Sequence, residues 1–287
     1  MPRIRTFSLI LFSLLGGGSV LSAAEGGVAP YAYELTRVWG IPITNAMLTG
    51  WVISLALILV IRLAVRRPTL VPGRGQVVVE TIVDGVRGLI EPIVGRHMVN
   101  VTFPILVGFF TFILIHNWSG MIPGVGSFGW DMPDGSYIYF MRPANADLNM
   151  TLGLALVSFL AWCYFVLRYA GFGVLRHDLF GNKANRAEVP YPIYLFLFVV
   201  FFFVGLIEVI SIAFRPVSLS FRLFGNVWGG ENLLTGMTAL FAWVLPVPFY
   251  FLEILIGLIQ ALVFTLLTAV YIGLICNHDS ESTEHAH

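Results

Sequence analysis

From residue 44 onwards, long apolar runs alternate with short polar or charged stretches. The first run, Thr44 to Val65, has the roughly 20 residues that one membrane-spanning helix needs. It ends in a basic flank of Arg62, Arg66, Arg67 and Pro68. Gln76 to Val94 is too charged to span. Its Glu80, Asp84, Arg87 and Glu91 recur at helical spacing and form one polar face, which predicts an interfacial helix. Phe103 to Trp118 is a second, barely long enough span, and Leu148 to Leu167 a third. Tyr191 to about Leu234 is apolar for roughly 65 Å of helix, about twice the hydrocarbon thickness. That run either breaks near Arg215-Pro216 or lies strongly tilted. After a turn at Leu245–Pro248, the last run reaches Cys276. The pattern predicts an all-α polytopic membrane protein. It has about five crossing helices, the last two long, plus the interfacial helix.

Composition supports this class. The chain has 287 residues, 57% hydrophobic and 11% charged, against about 25% charged in an ordinary soluble domain. Net charge is zero, but ten of the 16 Lys and Arg fall in segments 62–96 and 168–186. That bias places both segments on the cytoplasmic side, the N-terminus outside and the C-terminus inside. Residues 1–24 read as a signal peptide: Arg3 and Arg5, an apolar Phe7–Leu15, then Ser22-Ala23-Ala24; a short retained anchor, interrupted by Gly16-Gly17-Gly18, is the alternative. Residues 25–43 form an extracytoplasmic segment, 44–276 the membrane domain and 277–287 a polar tail. No basic tail points to nucleic acid. Cys163 and Cys276 lie in apolar runs, and no Cys/His cluster has metal spacing. The stretch 124–129, GVGSFG, matches G-x-G-x-x-G but follows no strand, so it is no dinucleotide site.

The candidate chemistry is polar residues inside the last two runs. Arg222 is a permanent cation in an apolar segment, a placement that costs at least about 2.5–3.5 kcal/mol and calls for a partner, a water-filled cavity or an ion path. Asn226 lies four residues on, and Gly225, Gly229 and Gly230 would let another backbone approach. A clamp between helices, through an acid of this chain, is the plainer reading of Arg222. Glu208 is 14 residues before Arg222, on nearly the same stripe, and Glu231 lies beyond it. Acids on either side of a fixed cation suggest two separate aqueous paths. Glu231 and Glu253 suit proton relay, because a carboxyl in an apolar setting can exchange a proton near neutrality. Nine residues from Arg222, Glu231 falls on the opposite helix face, which argues against their pairing. Asn226 and Gln260 suit either interhelical hydrogen bonding or transport.

The run FRPVSLSFRLFGNVWGGE, ending at Glu231, resembles the signature of subunit a, the membrane stator of F-type ATP synthases. HNWSGMIPG at 116–124, NADLNMTLGLAL at 145–156 and EILIGLIQALVFTLLTAVY at 253–271 extend the resemblance over most of 45–271. It implies that the last two helices are long and tilted as a hairpin, in a non-catalytic, proton-translocating subunit of the bacterial inner membrane, without a cofactor. Its partners would be a ring of small carboxylate-bearing subunits, a peripheral-stalk subunit and the lipid bilayer. Arg222 would attract the ring carboxylate and separate two half-channels. Glu231 and Glu253 would line the outer path with Asn226 and Gln260 beside Arg222, and Glu208 would sit in the inner path. Many relatives carry His at one of the positions matching Glu231 and Glu253; here both are Glu.

Two other classes compete. A stand-alone channel or transporter would conduct without a ring, and the chain lacks the internal repeat such transporters often show. An intramembrane enzyme would need a catalytic pair; H-E-x-x-H is absent, and Ser119 has no evident base.

Overall fold

The structure, a computed structural model, describes residues 32–38, 40–66, 68–122, 129–131, 137–171, 173, 191–241 and 244–276. The expected signal peptide at 1–24, most of the basic 168–186 segment and the polar tail lie outside the described residues. So does most of the glycine-rich 124–129 stretch.

Among the described residues six α-helices carry the fold. They are α1 (Asn45–Ala64), α2 (Arg74–Val94), α3 (Arg96–Ser119), α4 (Leu148–Phe165), α5 (Tyr191–Leu240) and α6 (Pro246–Cys276). Five of them, all but α2, are long and apolar enough to cross a membrane. The chain is thus an all-α polytopic membrane protein, with two small hairpins added at loops. One pairs β1 (Glu34–Val38) with β2 (Ile41–Thr44), and the other β3 (Gly129–Asp131) with β4 (Tyr137–Tyr139), both antiparallel. In the first, the exposed Glu34 pairs with Arg37, whose guanidinium holds the Glu34 carboxyl below the usual range.

Helix ends differ from the hydropathy reading where polarity is hidden. α3 begins at Arg96 rather than Phe103 because its first turns satisfy their own polar groups. Thr102 Oγ1 donates to the Met98 carbonyl, and Arg87 donates to Asn100 Oδ1 at 3.0 Å. Gly95, at φ 88°, supplies the left-handed turn that separates α2 from α3. α4 ends in a π turn, Val166–Ala170. α5 passes Pro216 without a break and continues to Leu240, six residues past the expected end. The proline has no N–H for the Ile212 carbonyl, yet packing against α4 and α6 keeps the helix continuous.

The core lies where α3 packs along α6 and α4 against α5. Leu106, Ile113, Leu223, Phe264 and Ile272 are fully buried there. α2 seals one end through Val86, Ile90 and Val94, while its polar side carries Arg87–Glu91 at 3.5 Å and Arg96–Glu91 at 3.6 Å. It approaches α6 so closely that a Cβ on Gly273 would lie 2.5 Å from the Ile93 carbonyl oxygen. α1 is held by its first turns and, at its other end, by Ala64 against Gly75 of α2. Asn45, Ala46, Thr49 and Gly50 are buried, and Leu55, Ile58, Leu59 and Val60 are exposed apolar groups suited to lipid.

Candidate functional site

The site is built where the C-terminal half of α5 meets the first half of α6. Buried residues of α5 recur as Ile212, Pro216, Leu219, Leu223 and Val227, the helical stripe that faces the bundle. Ser220 sits at the edge of that stripe and shares a hydrogen bond with Thr151 of α4 at 3.1 Å. Arg215, Arg222 and Asn226 fall on one flank of the stripe and Glu231 on the other.

The motifs HNWSGMIPG and NADLN turn out to lock α3, the 140s loop and α6 together. Asn117 Nδ2 donates to the Gly257 carbonyl at 3.1 Å, and the Trp118 indole donates to the Ile254 carbonyl at 3.1 Å. Gly257 is needed for this approach, since a Cβ there would lie 3.1 Å from Trp118 Cδ1. Asn145 Nδ2 donates to Asn117 Oδ1 at 2.8 Å, and Asp147 caps α4 by accepting from the Asn149 N–H. Ser119 Oγ donates to the His116 carbonyl at 2.7 Å, a helix-end contact rather than a nucleophile's setting. The fully buried His116 ring faces two carbonyls, Phe112 at 2.8 Å and Gly50 at 3.4 Å.

Of the six residues named from sequence, four meet across the α5–α6 seam or beside it. Asn226 Nδ2 donates to Gln260 Oε1 at 2.6 Å, an interhelical hydrogen bond at the level expected for both. One turn further along α5, the Glu253 carboxylate lies directly against Gly230, where any side chain would collide with it. Glu231 is the next residue, but it points about 100° away around the helix. Glu231 does not pair with Arg222. Instead Arg142 Nη2 donates to Glu231 Oε2 at 3.4 Å, from a side chain only 4% exposed. Arg142 comes from the loop after β4 and is anchored by its backbone N–H, which donates to Thr49 Oγ1 at 3.0 Å. Sequence reading passed over Arg142 in this role; its signal was being the lone base in the 119–145 loop.

Arg222 and Glu208 stand apart from this cluster. Arg222 is exposed and makes no hydrogen bond or ion pair among the described residues. The adjoining face is open: Ser218 and Phe221 are exposed, and nothing lies within 4 Å of a Cβ built on Gly225 or Gly229. Glu208 is exposed on the flank leading to Arg222. Over about 13 Å of α5 the polar groups lie on two flanks: Arg142–Glu231 on one, Asn226–Gln260 and then Arg222 on the other, with Glu253 against Gly230 between them. Acids in an apolar setting can exchange protons, and a bare cation can hold an anion. Among the described residues no group of three or more His, Cys, Asp or Glu is arranged to hold a metal.

Comparison with known proteins agrees with this architecture. Residues 47–273 match the family described as ATP synthase A chain. Relatives named ATP synthase subunit a include that of Moorella thermoacetica, 33% identical over 241 residues, covering 84% of this chain and 94% of the relative. The subunit a 2 of a Bradyrhizobium species is 33% identical, covering 83% and 92%. The subunit a of Trichlorobacter lovleyi is 32% identical, covering 79% and 85%. The chain belongs to the ATP synthase A chain family, the non-catalytic, proton-translocating membrane subunits of the Fo sector.

Proposed function

We propose that this chain is the stator of a rotary F-type ATP synthase, offering two offset half-channels to the carboxylates of a turning ring. Arg222 meets the ionised ring carboxylate. Glu231 and Glu253 line the outer path, with Asn226 and Gln260 next to Arg222 and Arg142 at its far end. Glu208 serves the inner path. The N-terminus is outside and the C-terminus cytoplasmic, and a peripheral-stalk subunit holds the chain against the ring.

The observation that carries this reading is Arg222 itself: a permanent cation on an exposed flank, beside an open face at Gly225 and Gly229, with no partner among the described residues. Such a charge in a membrane calls for an anion from another chain. A fixed cation there favours the ionised ring acid and opposes protons passing straight from one path to the other. Each charge crossing 100 mV supplies about 2.3 kcal/mol, which rotation can harvest.

Arg222→Ala in the assembled complex tests it. Insertion and assembly should persist, coupled ATP synthesis in vesicles should be abolished, and passive proton leak should rise. Arg222→Lys should be severely impaired as well, since an ammonium lacks the planar fork. Near-normal synthesis by Arg222→Ala would return the residue to a structural clamp. The chain alone in liposomes should conduct little; robust conduction would favour a stand-alone channel.

A further inference from the structure

α5 carries a second permanent cation close to the first. Arg215 is seven residues before Arg222, two turns within about 20°, hence on the same flank and about 10 Å away along the axis. The two are treated differently by the fold. Arg222 is exposed and bare, whereas Arg215 is half-buried between α4 and α6. Its Cζ lies 4.2 Å from the Tyr271 ring centroid and 5.9 Å from that of Trp162. The two aromatics are tied together, because the Trp162 indole donates to the Tyr271 carbonyl at 2.9 Å. One turn away, Ser158 and Thr268 share a hydrogen bond at 2.9 Å and fix the same two helices. These residues, with Leu219, wall a small cavity that the guanidinium borders. Arg215 makes no ion pair among the described residues; Glu208, seven residues further back, is the nearest acid on its flank.

An aromatic face holds a guanidinium by its quadrupole and so fixes where it sits; here that place is half-buried between α4 and α6, whereas Arg222 is exposed. We propose that Tyr271 and Trp162 form a cage that withholds Arg215 from the moving ring carboxylate, so that Arg222 is the single cation on which that carboxylate can pause. This rests on the stator reading above. Two equivalent cations 10 Å apart would otherwise give a passing anion two resting points, and the second would act as a trap. Tyr271 and Trp162 are thus positioning residues that act through Arg215. The inference also explains how a cation is kept on this flank with no ion pair among the described residues.

The test is genetic suppression in the assembled complex, read as ATP synthesis in vesicles. Tyr271→Leu removes the nearer ring face and should slow synthesis about tenfold by freeing the cation. Adding Arg215→Gln should recover most of that loss, which a purely structural role for Tyr271 would not allow. Tyr271→Phe keeps the face and should be near normal. Arg215→Gln alone, with the cage intact, should stay within about twofold of the parent, since the cation has no positive part to play. A double variant no faster than Tyr271→Leu would overturn the cage, as would loss of synthesis in assembled Arg215→Gln. Arg222→Ala in the same series separates the two readings. If it is dead while suppression fails, the cage alone falls; if it is active, both fall.

Discussion

Arg142 and Glu231, 89 residues apart in sequence, meet at 3.4 Å with the arginine almost wholly buried. The pair joins the loop after β4 to α5 and places a cation beside one of the two acids of the seam. Removing one member leaves the other charge in a poorly solvated place, which is costly. Arg142→Gln should slow proton-driven synthesis about tenfold, and Arg142→Gln/Glu231→Gln should lose little more than either single variant. A double-mutant cycle of vesicle synthesis rates checks this. Strictly additive losses would show that the pair carries no shared function.

Glu253 leans on Gly230, and this contact makes a steric prediction. The group that a new methyl would meet is the end of a flexible side chain, so the fold can survive while the carboxylate moves. Gly230→Ala should assemble normally yet slow synthesis about tenfold, and Glu253→Asp, shorter by one methylene, should restore part of the rate in that background. Equal rates for parent and Gly230→Ala would mean that the position of this acid is not critical.

The neighbouring acids should also behave as a unit. Glu231→Gln and Glu253→Gln are each expected to slow synthesis without blocking assembly, with a double loss smaller than the product of the singles. Rates from the three complexes in one vesicle preparation decide it. Independent losses would assign the acids to unrelated tasks.

Asn226 and Gln260 make a different kind of contribution. Their 2.6 Å hydrogen bond joins α5 to α6, and Gln260 Nε2 is buried with no partner among the described residues. Interhelical hydrogen bonds of this type contribute about 0.6 kcal/mol on average. Asn226→Leu leaves Gln260 more poorly satisfied and should destabilise the purified complex by about 1 kcal/mol. Denaturation in detergent measures this; unchanged stability would say the bond is replaced by water.

Orientation has its own experiment. A probe on Lys183→Cys should be shielded from impermeant reagent added outside intact cells, because the basic segments are expected inside. Labelling from outside would reverse the topology and exchange the two paths.

The spans were legible in the sequence because hydropathy is a property of a single segment, and lipid-facing helices such as α1 are apolar all round. Glu253 with Gln260, and Arg222 with Asn226, were legible because fixed helical spacing sets their faces. Arg142 was not, since no spacing rule reaches across a loop from residue 142 to 231. Nor was the setting of Arg215: beside Pro216 it read as a possible break, and its aromatic neighbours Trp162 and Tyr271 looked like ordinary apolar filling of other helices. The two hairpins escaped notice because each is only a few residues long and lies in a stretch rich in Pro, Gly and Tyr.

The length of α5 has a geometric consequence. Fifty residues of helix extend about 75 Å, more than twice a hydrocarbon slab of about 30 Å, so a helix apolar nearly throughout has to recline in the bilayer. In a reclining helix, distance along the chain becomes displacement sideways as much as change in depth. Glu208 and Glu231 are separated by about 34 Å of axis, so a body rolling beside α5 would pass them at different points of its arc. On the stator reading proposed above, sequence position along this one helix would be converted into angle of rotation.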